Sequence, residues 1–369
     1  MAAAERLRDR LDGPVRVNQA RHRDAAANAG LSGFALAREL RRASSGPGRL
    51  SKDEYFYYRL YDPALPAPER ARHVGKAAQS RMHQACNDPR WFAPVHDKAL
   101  FYTVMRGLDL PVPETVAVFE RGNRSFFCPA LRDEDELRAF LSDPAVYPLF
   151  AKPIDGIYSI GSLDLRALVG DRIRMKAGQT AALGDVVRFV LAFGQAGYLF
   201  QRRVQSHPML ARAFGETLSS ARLLMLLDAG GASLESAVVK IPRAASIADN
   251  YWRPGNMLGS LDAQGRVRRV VSGVGEDLAL HDAHPDTGLR LVDLALPDWG
   301  AALALCAKAA NAFPGVRTQS WDVALTPEGP VLLEFNFGGD LNLHQLAHRR
   351  GALTDRFAAH LRRCGYQDL

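Results

Sequence analysis

Over residues 1–95 apolar positions recur at helical intervals, as in LSGFALARELRR and PERARHVGKAAQSRMHQACND, with breaks at SSGPGRL and at Pro63, Pro66, Pro68 and Pro89. This pattern predicts an all-helical N-terminal region. From about residue 96 the texture changes to alternating strands and helices. HDKALFYTVMRG predicts a helix ending near Gly107, followed by a loop through Pro111 and Pro113 and a strand at ETVAVF. DEDELRAFLSD predicts a helix whose acidic first turn suits the positive end of the helix dipole. PLFAKP predicts a buried strand carrying Lys152, and the glycine-bearing loop DGIYSIGS follows it. Further on come a helix over 183–195, strands at YLFQRRV, SARLLMLLD and SLESAVVKIPR, a loop at DNYWRPGNMLGSLD, a strand at RVRRVVS and a helix at WGAALALCAKAANAF. Without a regular parallel repeat, this alternation predicts an α+β protein with sheet-containing units at 96–200 and 201–369.

The C-terminal stretch SWDVALTPEGPVLLEFNFGGDLNL predicts a β-hairpin, with strand Trp321 to Leu325, a turn at Thr326-Pro327-Glu328-Gly329 and a second strand through Val331, Leu332, Leu333 and Phe335. Side chains alternate along a strand, so Glu334 and Asn336 share a face about 6.6 Å apart at roughly 3.3 Å per residue. Folding back can bring Asp322 onto that face. Three oxygen-bearing side chains of this kind suit a magnesium ion with ligands at about 2.0 to 2.1 Å. An amphipathic hairpin with a solvated face shows the same alternation, so spacing alone leaves both readings open.

With 369 residues and 47% hydrophobic content, the chain is long enough for two or three units around a substantial core. No apolar run reaches the roughly 18 to 20 residues of a membrane span. Met1 to Ala29 mixes Glu5, Asp9 and Asp12 with arginines where a signal peptide would have an apolar core, and a cytoplasmic location is the default expectation. Cys86, Cys128, Cys306 and Cys364 are scattered and form no C-x-x-C pair, so their spacing offers neither a disulfide framework nor a zinc motif. The net charge of +7 is spread along the chain with no dense basic block, which favours phosphate-bearing small ligands over nucleic acid. Only seven of the 47 basic residues are lysines, which singles each of them out as a compact charge suited to phosphate.

Lys152 ends a strand just before Gly156 and Gly161, where backbone N–H groups can approach a phosphate chain, although the stretch matches neither G-x-x-x-x-G-K-[ST] nor G-x-G-x-x-G. Lys240 lies in AVVKIPR, with Arg243 three residues on. Arg222, flanked by apolar residues in TLSSARLLMLL, needs an anionic partner if buried, either a substrate phosphate or carboxylate or a structural carboxylate. His281, Asp282, His284 and Asp286 lie in a loop without metal-motif spacing, and His344 and His348 read as an exposed helix face.

The segments EYFYYRLYD, HDKALFYTVMRGLDLPVPET, FAKPIDGIYSIG, FQRRVQSHPMLARAFGETLSSARLLML, VVKIPR with DNYWRPGN, HPDTGLRLVDLALPDW and WDVALTPEGPVLLEFN, taken in order, resemble the ATP-grasp superfamily, in particular its sugar-transfer-associated proteins. The resemblance implies two α+β subdomains gripping ATP, preceded here by a helical extension. It implies that Lys98 and Lys152 meet the nucleotide phosphates beside Gly156 and Gly161, and that FQRRV forms the hinge, with Gln201 and Val204 nearest adenine. Many relatives carry a hinge glutamate for the ribose; here Gln205 stands nearby. Arg222 and Lys240 then face the transferred phosphate, and Asp322, Glu334 and Asn336 hold Mg2+. The implied reaction joins a small-molecule carboxylate to an amine through an acyl phosphate, releasing ADP. A phosphotransferase acting on a hydroxyl and a non-catalytic nucleotide-binding component of glycan assembly are the alternatives.

Overall fold

Two seven-stranded sheets carry the chain, and a cleft lined by residues of both lies between them. The computed structural model describes residues 19–369, so what the sequence predicts for residues 1–18 lies outside it. The first sheet contains β1 (Thr115–Phe119), β2 (Ala130–Leu131), β3 (Leu149–Pro153), β4 (Leu163–Val169), β5 (Arg172–Met175), β6 (Thr180–Ala182) and β7 (Tyr198–Arg202), in the order β2-β1-β7-β3-β4-β5-β6. Its pairs are antiparallel except β1 with β2. The helices Glu134–Ser142 and Leu183–Phe193 cover one face, where Leu137, Leu141, Val186, Val187 and Val190 pack on Leu149, Ala151, Tyr198 and Phe200. Asp133 caps the first of these by accepting from the backbone N–H of Glu136 at 2.9 Å.

The second sheet is antiparallel throughout, in the order β12-β11-β10-β9-β8-β13-β14. Its strands are β8 (Ser220–Asp228), β9 (Gly231–Ile241), β10 (Met257–Leu261), β11 (Val267–Ser272), β12 (Ala279–Leu280), β13 (Thr318–Thr326) and β14 (Gly329–Phe337). Helix Trp299–Asn311 covers one face, with Cys306 and the stacked rings of Phe313, Trp321 and Phe335 in the core beneath it. On the opposite face the helix Leu341–His348 and the N-terminal helices converge. Tyr55, Phe56, Tyr57 and Leu60 form one core with Val238, Leu258, Val271 and Leu343. Helix Lys76–Cys86 contributes Ala78, Met82 and Cys86 to another, shared with Leu224, Leu226, Phe357 and Leu361.

Several elements depart from the sequence reading. Residues Met257–Leu261, read within a loop, form the wholly buried strand β10 in the middle of the sheet. Gly259 hid it: glycine weakens a strand signal, and here it is retained because a Cβ at that position would lie 2.8 Å from Val239 Cγ1. Gly259→Ala is accordingly expected to cost about 1–3 kcal/mol through overpacking, measured by urea denaturation. Strands β4 to β6 also went unread, because Asp164, Arg166, Arg172 and Arg174 interrupt their apolar positions. His344 and His348 do not lie on an exposed helix face. They turn inward, His344 Nδ1 to Ser236 Oγ at 2.9 Å and His348 Nε2 to the carbonyl of Ala237 at 2.9 Å. The loop cluster is likewise structural: Asp286 pairs with Arg243 at 2.7 Å, and His284 Nε2 meets the carbonyl of Pro242 at 3.0 Å.

Candidate functional site

Strand register gathers the polar residues of the second sheet on one face. Asp322 stands opposite Glu334 on β14 and opposite Arg222 on β8; Ser320 stands opposite Asn336, and Ser220 opposite Lys240. The other face of β13 presents Trp321 and Val323 to the core under helix Trp299–Asn311. A β-bulge falls between Asp322 and Val323, leaving Leu333 without a partner on β13. Such bulges re-aim neighbouring side chains. Here the freed carbonyl of Leu333 accepts from the Tyr102 hydroxyl at 2.8 Å, tying helix Lys98–Gly107 to the sheet.

Asp322 is the electrostatic centre of this face. Arg222 grips it bidentately, with Nε to Oδ1 at 2.7 Å and Nη2 to Oδ2 at 2.7 Å, and Lys240 Nζ donates to Oδ2 at 3.0 Å. Arg222 thus has a structural carboxylate as its partner within the fold. Burial alone would raise the Asp322 pKa, but Arg222 and Lys240 more than offset it and hold the carboxyl well below its ordinary range. Against the opposing effect of burial, the same pairing holds Arg222 above its ordinary value, and Asp249 together with Asp322 does so for Lys240. Asp249, which the sequence reading did not single out, stands 3.6 Å from Lys240 and accepts from the Ser220 hydroxyl. Burial nevertheless raises its pKa. It lies in the segment DNYWRPGN, where nothing but three-dimensional proximity to Lys240 marks it.

From the first sheet, Lys152 Nζ donates to the Tyr102 hydroxyl at 2.8 Å. Burial lowers its pKa to about 8, with Glu334 and Asp322 working in the other direction. Lys98, the first residue of its helix, reaches the carbonyl of Gly156 and stands 3.5 Å from Glu334. Both lysines, Gly156, Gln201, Val204, Lys240, Asp322 and Glu334 line one cleft of about 1030 Å³, its open mouth included. Phe150, Ile160, Leu218, Ile247 and Leu333 give that cleft an apolar lining. Val204 lies just past the end of β7, outside either ladder, whereas the Gln201 side chain is buried and donates to Thr115 Oγ1 at 3.3 Å. Gly161 and Gln205 lie outside the lining. Gly161 has φ +76°, and a Cβ there would meet Phe193 and Pro153 at 2.9 Å, so packing and backbone conformation both require glycine. Gln205 is exposed.

Two features were not legible in sequence. Lys176, at the turn between β5 and β6, reaches across the cleft to Thr217 Oγ1 and the carbonyl of Ser246. A second opening, about 1410 Å³ with its mouth, shares Tyr158, Lys240, Asp249, Asp322 and Glu334 with the first cleft and extends past Arg222 and Asn336. Its outer wall includes Gln79 and His83 of helix Lys76–Cys86 and Trp252. His83 is buried and packs against Gly338, and burial lowers its pKa to about 4, so it is neutral near pH 7. These outer residues lie far from the hairpin in sequence.

Glu334, partly exposed beside Lys98, and Asn336 open onto the second cavity with side-chain oxygens of the type magnesium takes. Asp322 is the most committed of the three, since both its oxygens already accept from cations.

A sequence profile described as sugar-transfer associated ATP-grasp matches residues 77–359. Among curated proteins none matches. Similar solved structures include the ATP-grasp ligase PsnB with a minimal precursor, at 15% identity and TM-score 0.38, covering 77% of this chain and 68% of that one. They also include the D-Ala:D-Ser ligase VanG from Enterococcus faecalis, at 11% identity and TM-score 0.43, covering 77% of this chain and 64% of that one. The biotin carboxylase domain of a 2-oxoglutarate carboxylase from Hydrogenobacter thermophilus is 15% identical with TM-score 0.41, covering 90% and 68%. Among the described residues no helix is long and apolar enough to cross a membrane.

Proposed function

Because this chain belongs to the sugar-transfer associated ATP-grasp family, we propose that it is an ADP-forming ligase that activates a carboxylate with ATP and transfers the acyl group to an amine. The observation supporting this most directly is the meeting of Lys98 and Lys152 with Lys240, Asp322 and Glu334 in one cleft with an apolar lining. The apolar side suits a purine, with Val204 offering backbone at the hinge. Lys98 and Lys152 bind phosphate oxygens. Glu334 and Asn336, with Asp322 sharing its oxygens, would hold Mg2+, which when bound neutralises phosphate charge and polarises the transferred group.

A carboxylate oxygen of the substrate attacks the γ-phosphorus, the bond to the β,γ-bridging oxygen breaks, and ADP leaves. The amine nitrogen then attacks the acyl carbon, inorganic phosphate departs, and the nitrogen loses a proton. Arg222 and Lys240, fixed by Asp322, present preorganised positive charge to the phosphate in flight, and little covalent chemistry is asked of the protein. The second opening, continuous with this face, is the entry for the substrates. An amino acid joined to a uronic acid or cell-surface precursor, or a secondary-metabolite amide, fits this reading.

Hydroxylamine provides the test. With ATP, magnesium and a panel of acids, a hydroxamate should accumulate together with ADP. ADP release onto an alcohol, with no hydroxamate from any acid, would make the protein a phosphotransferase; absence of ADP release would leave a nucleotide binder.

Lys152 gives this reading a pH signature. With its amine lowered to about 8 by burial, the free protein presents an ammonium below that pH and a neutral amine above it. Bound phosphate favours the ammonium, so Mg·ADP affinity should be level below pH 8 and weaken by roughly tenfold per unit above it, with proton uptake on binding. Calorimetry at pH 7, 8 and 9 measures the slope, which should vanish in Lys152→Met. An affinity independent of pH over that range would remove Lys152 from the phosphates.

A further inference from the structure

Two of the four cysteines that the sequence scatters are brought together at the far end of helix Lys76–Cys86. Cys86, Cys364 and His360 place one ligating atom each within 4.8 Å of one another. Cys86 is the last residue of its helix, while His360 and Cys364 lie four apart at the end of helix Asp355–Arg363 and so share a helical face. His360 is fully buried. Its Nδ1 faces Asp228 Oδ1 at 3.0 Å, which selects the tautomer with the proton on Nδ1 and leaves Nε2 as the acceptor. Nε2 faces Cys364 Sγ at 3.5 Å and Thr318 Oγ1 at 3.2 Å. Asp228 is itself held by Arg363 at 2.7 Å.

We propose that Cys86, His360 and Cys364 form a structural site for a thiophilic divalent cation, Zn2+, with Asp228 orienting the histidine ligand. A hydrogen-bonded core histidine explains the contacts to Asp228 and Thr318, but it does not call for two thiols gathered within 4.8 Å of the same imidazole. Two sulfurs and one imidazole nitrogen are the donor types that zinc takes, at about 2.3 and 2.0 Å, and a carboxylate behind the ligating histidine is its usual support. Binding releases the two thiol protons to solvent, and two thiolates balance the ion's charge. The site would fasten the N-terminal helix carrying Gln79 and His83 to the C-terminal helix and to β13, and it is independent of the ligase reading.

The test uses the full chain, reduced and freed of metal, titrated with Co2+. One equivalent should produce a thiolate-to-cobalt charge-transfer band in the near-ultraviolet with tetrahedral ligand-field bands in the visible. Zn2+ should displace it, and saturating Mg·ADP should leave it unchanged. Cys364→Ser, at a partly exposed position, should weaken binding by at least tenfold, and Zn2+ should raise the thermal midpoint of the wild type but not of this variant. Absence of the charge-transfer band, its persistence in Cys364→Ser, or its loss on adding Mg·ADP would overturn the assignment. So would a protein that takes up no metal when reduced and loses two titratable thiols to a Cys86–Cys364 disulfide in air.

Discussion

Replacing Asp322 with asparagine is expected to destabilise the protein by about 3–5 kcal/mol and to abolish ADP formation. The carboxylate is 3% exposed and holds Arg222 at 2.7 Å and Lys240 at 3.0 Å. Removing its charge leaves two buried cations that Asp249, Glu334 and Asp340 compensate only in part, and a buried pair broken on one side costs that much because the orphaned charge stays desolvated. Urea denaturation at pH 7 measures the loss. Its pH dependence identifies the cause. The folded-state pKa of Asp322 lies below its unfolded value, so its contribution is fully present above about pH 4 and is lost as pH falls through the folded value. The gap between wild type and variant should therefore narrow on acidification below about pH 4. A variant as stable as wild type at pH 7 would show that the cluster is solvated and the pairing superficial.

Glu334→Gln should give the opposite combination, a loss of ADP formation of about 10²-fold or more with folding stability unchanged within about 0.5 kcal/mol. Glu334 is 31% exposed and stands 3.5 Å from one lysine, so little of the fold depends on its charge. It is also the carboxylate of the face least committed to other residues. Loss of its charge should appear as a weaker magnesium dependence of nucleotide binding, read by titrating Mg2+ at fixed ADP. Unaltered turnover in Glu334→Gln would remove it from the metal set. The two substitutions thus separate the residue that organises the face from the residue that works on it, although they are cross-strand neighbours.

How far this site was legible in the sequence depends on distance along the chain. Glu334 and Asn336 share a face because strands alternate, and the turn at Gly329 returns β14 beside β13 so that Asp322 joins them. Those relations are local. The partner of Arg222 was not readable, because Asp322 lies a hundred residues away and only the pairing of β8 with β13 makes them neighbours. Lys98 sits at the first turn of an amphipathic helix, where no spacing rule marks it; the scarcity of lysine made it a candidate, and the family resemblance gave it a role. Asp249, Lys176 and the wall formed by Gln79 and His83 depend on the docking of whole elements. The fold class was legible from texture, whereas β10 was not, because close packing against Val239 demands the glycine that conceals it.

The N-terminal helices lie on the same sheet face as Arg222 and Asp322, and that placement bears on where this protein may be cut. The stretch similar to the family is residues 77–359, which begins inside helix Lys76–Cys86. It leaves out the apolar cluster of Tyr55, Phe56, Tyr57 and Leu60 that covers Val238, Leu258 and Val271, as well as Leu361 and Tyr366 on the C-terminal side. A fragment trimmed to the limits of similarity would expose a broad apolar face, and it should aggregate on expression. The border of the matched stretch and the border of the folding unit differ here: the sheet that carries the site is covered by helices lying outside the match.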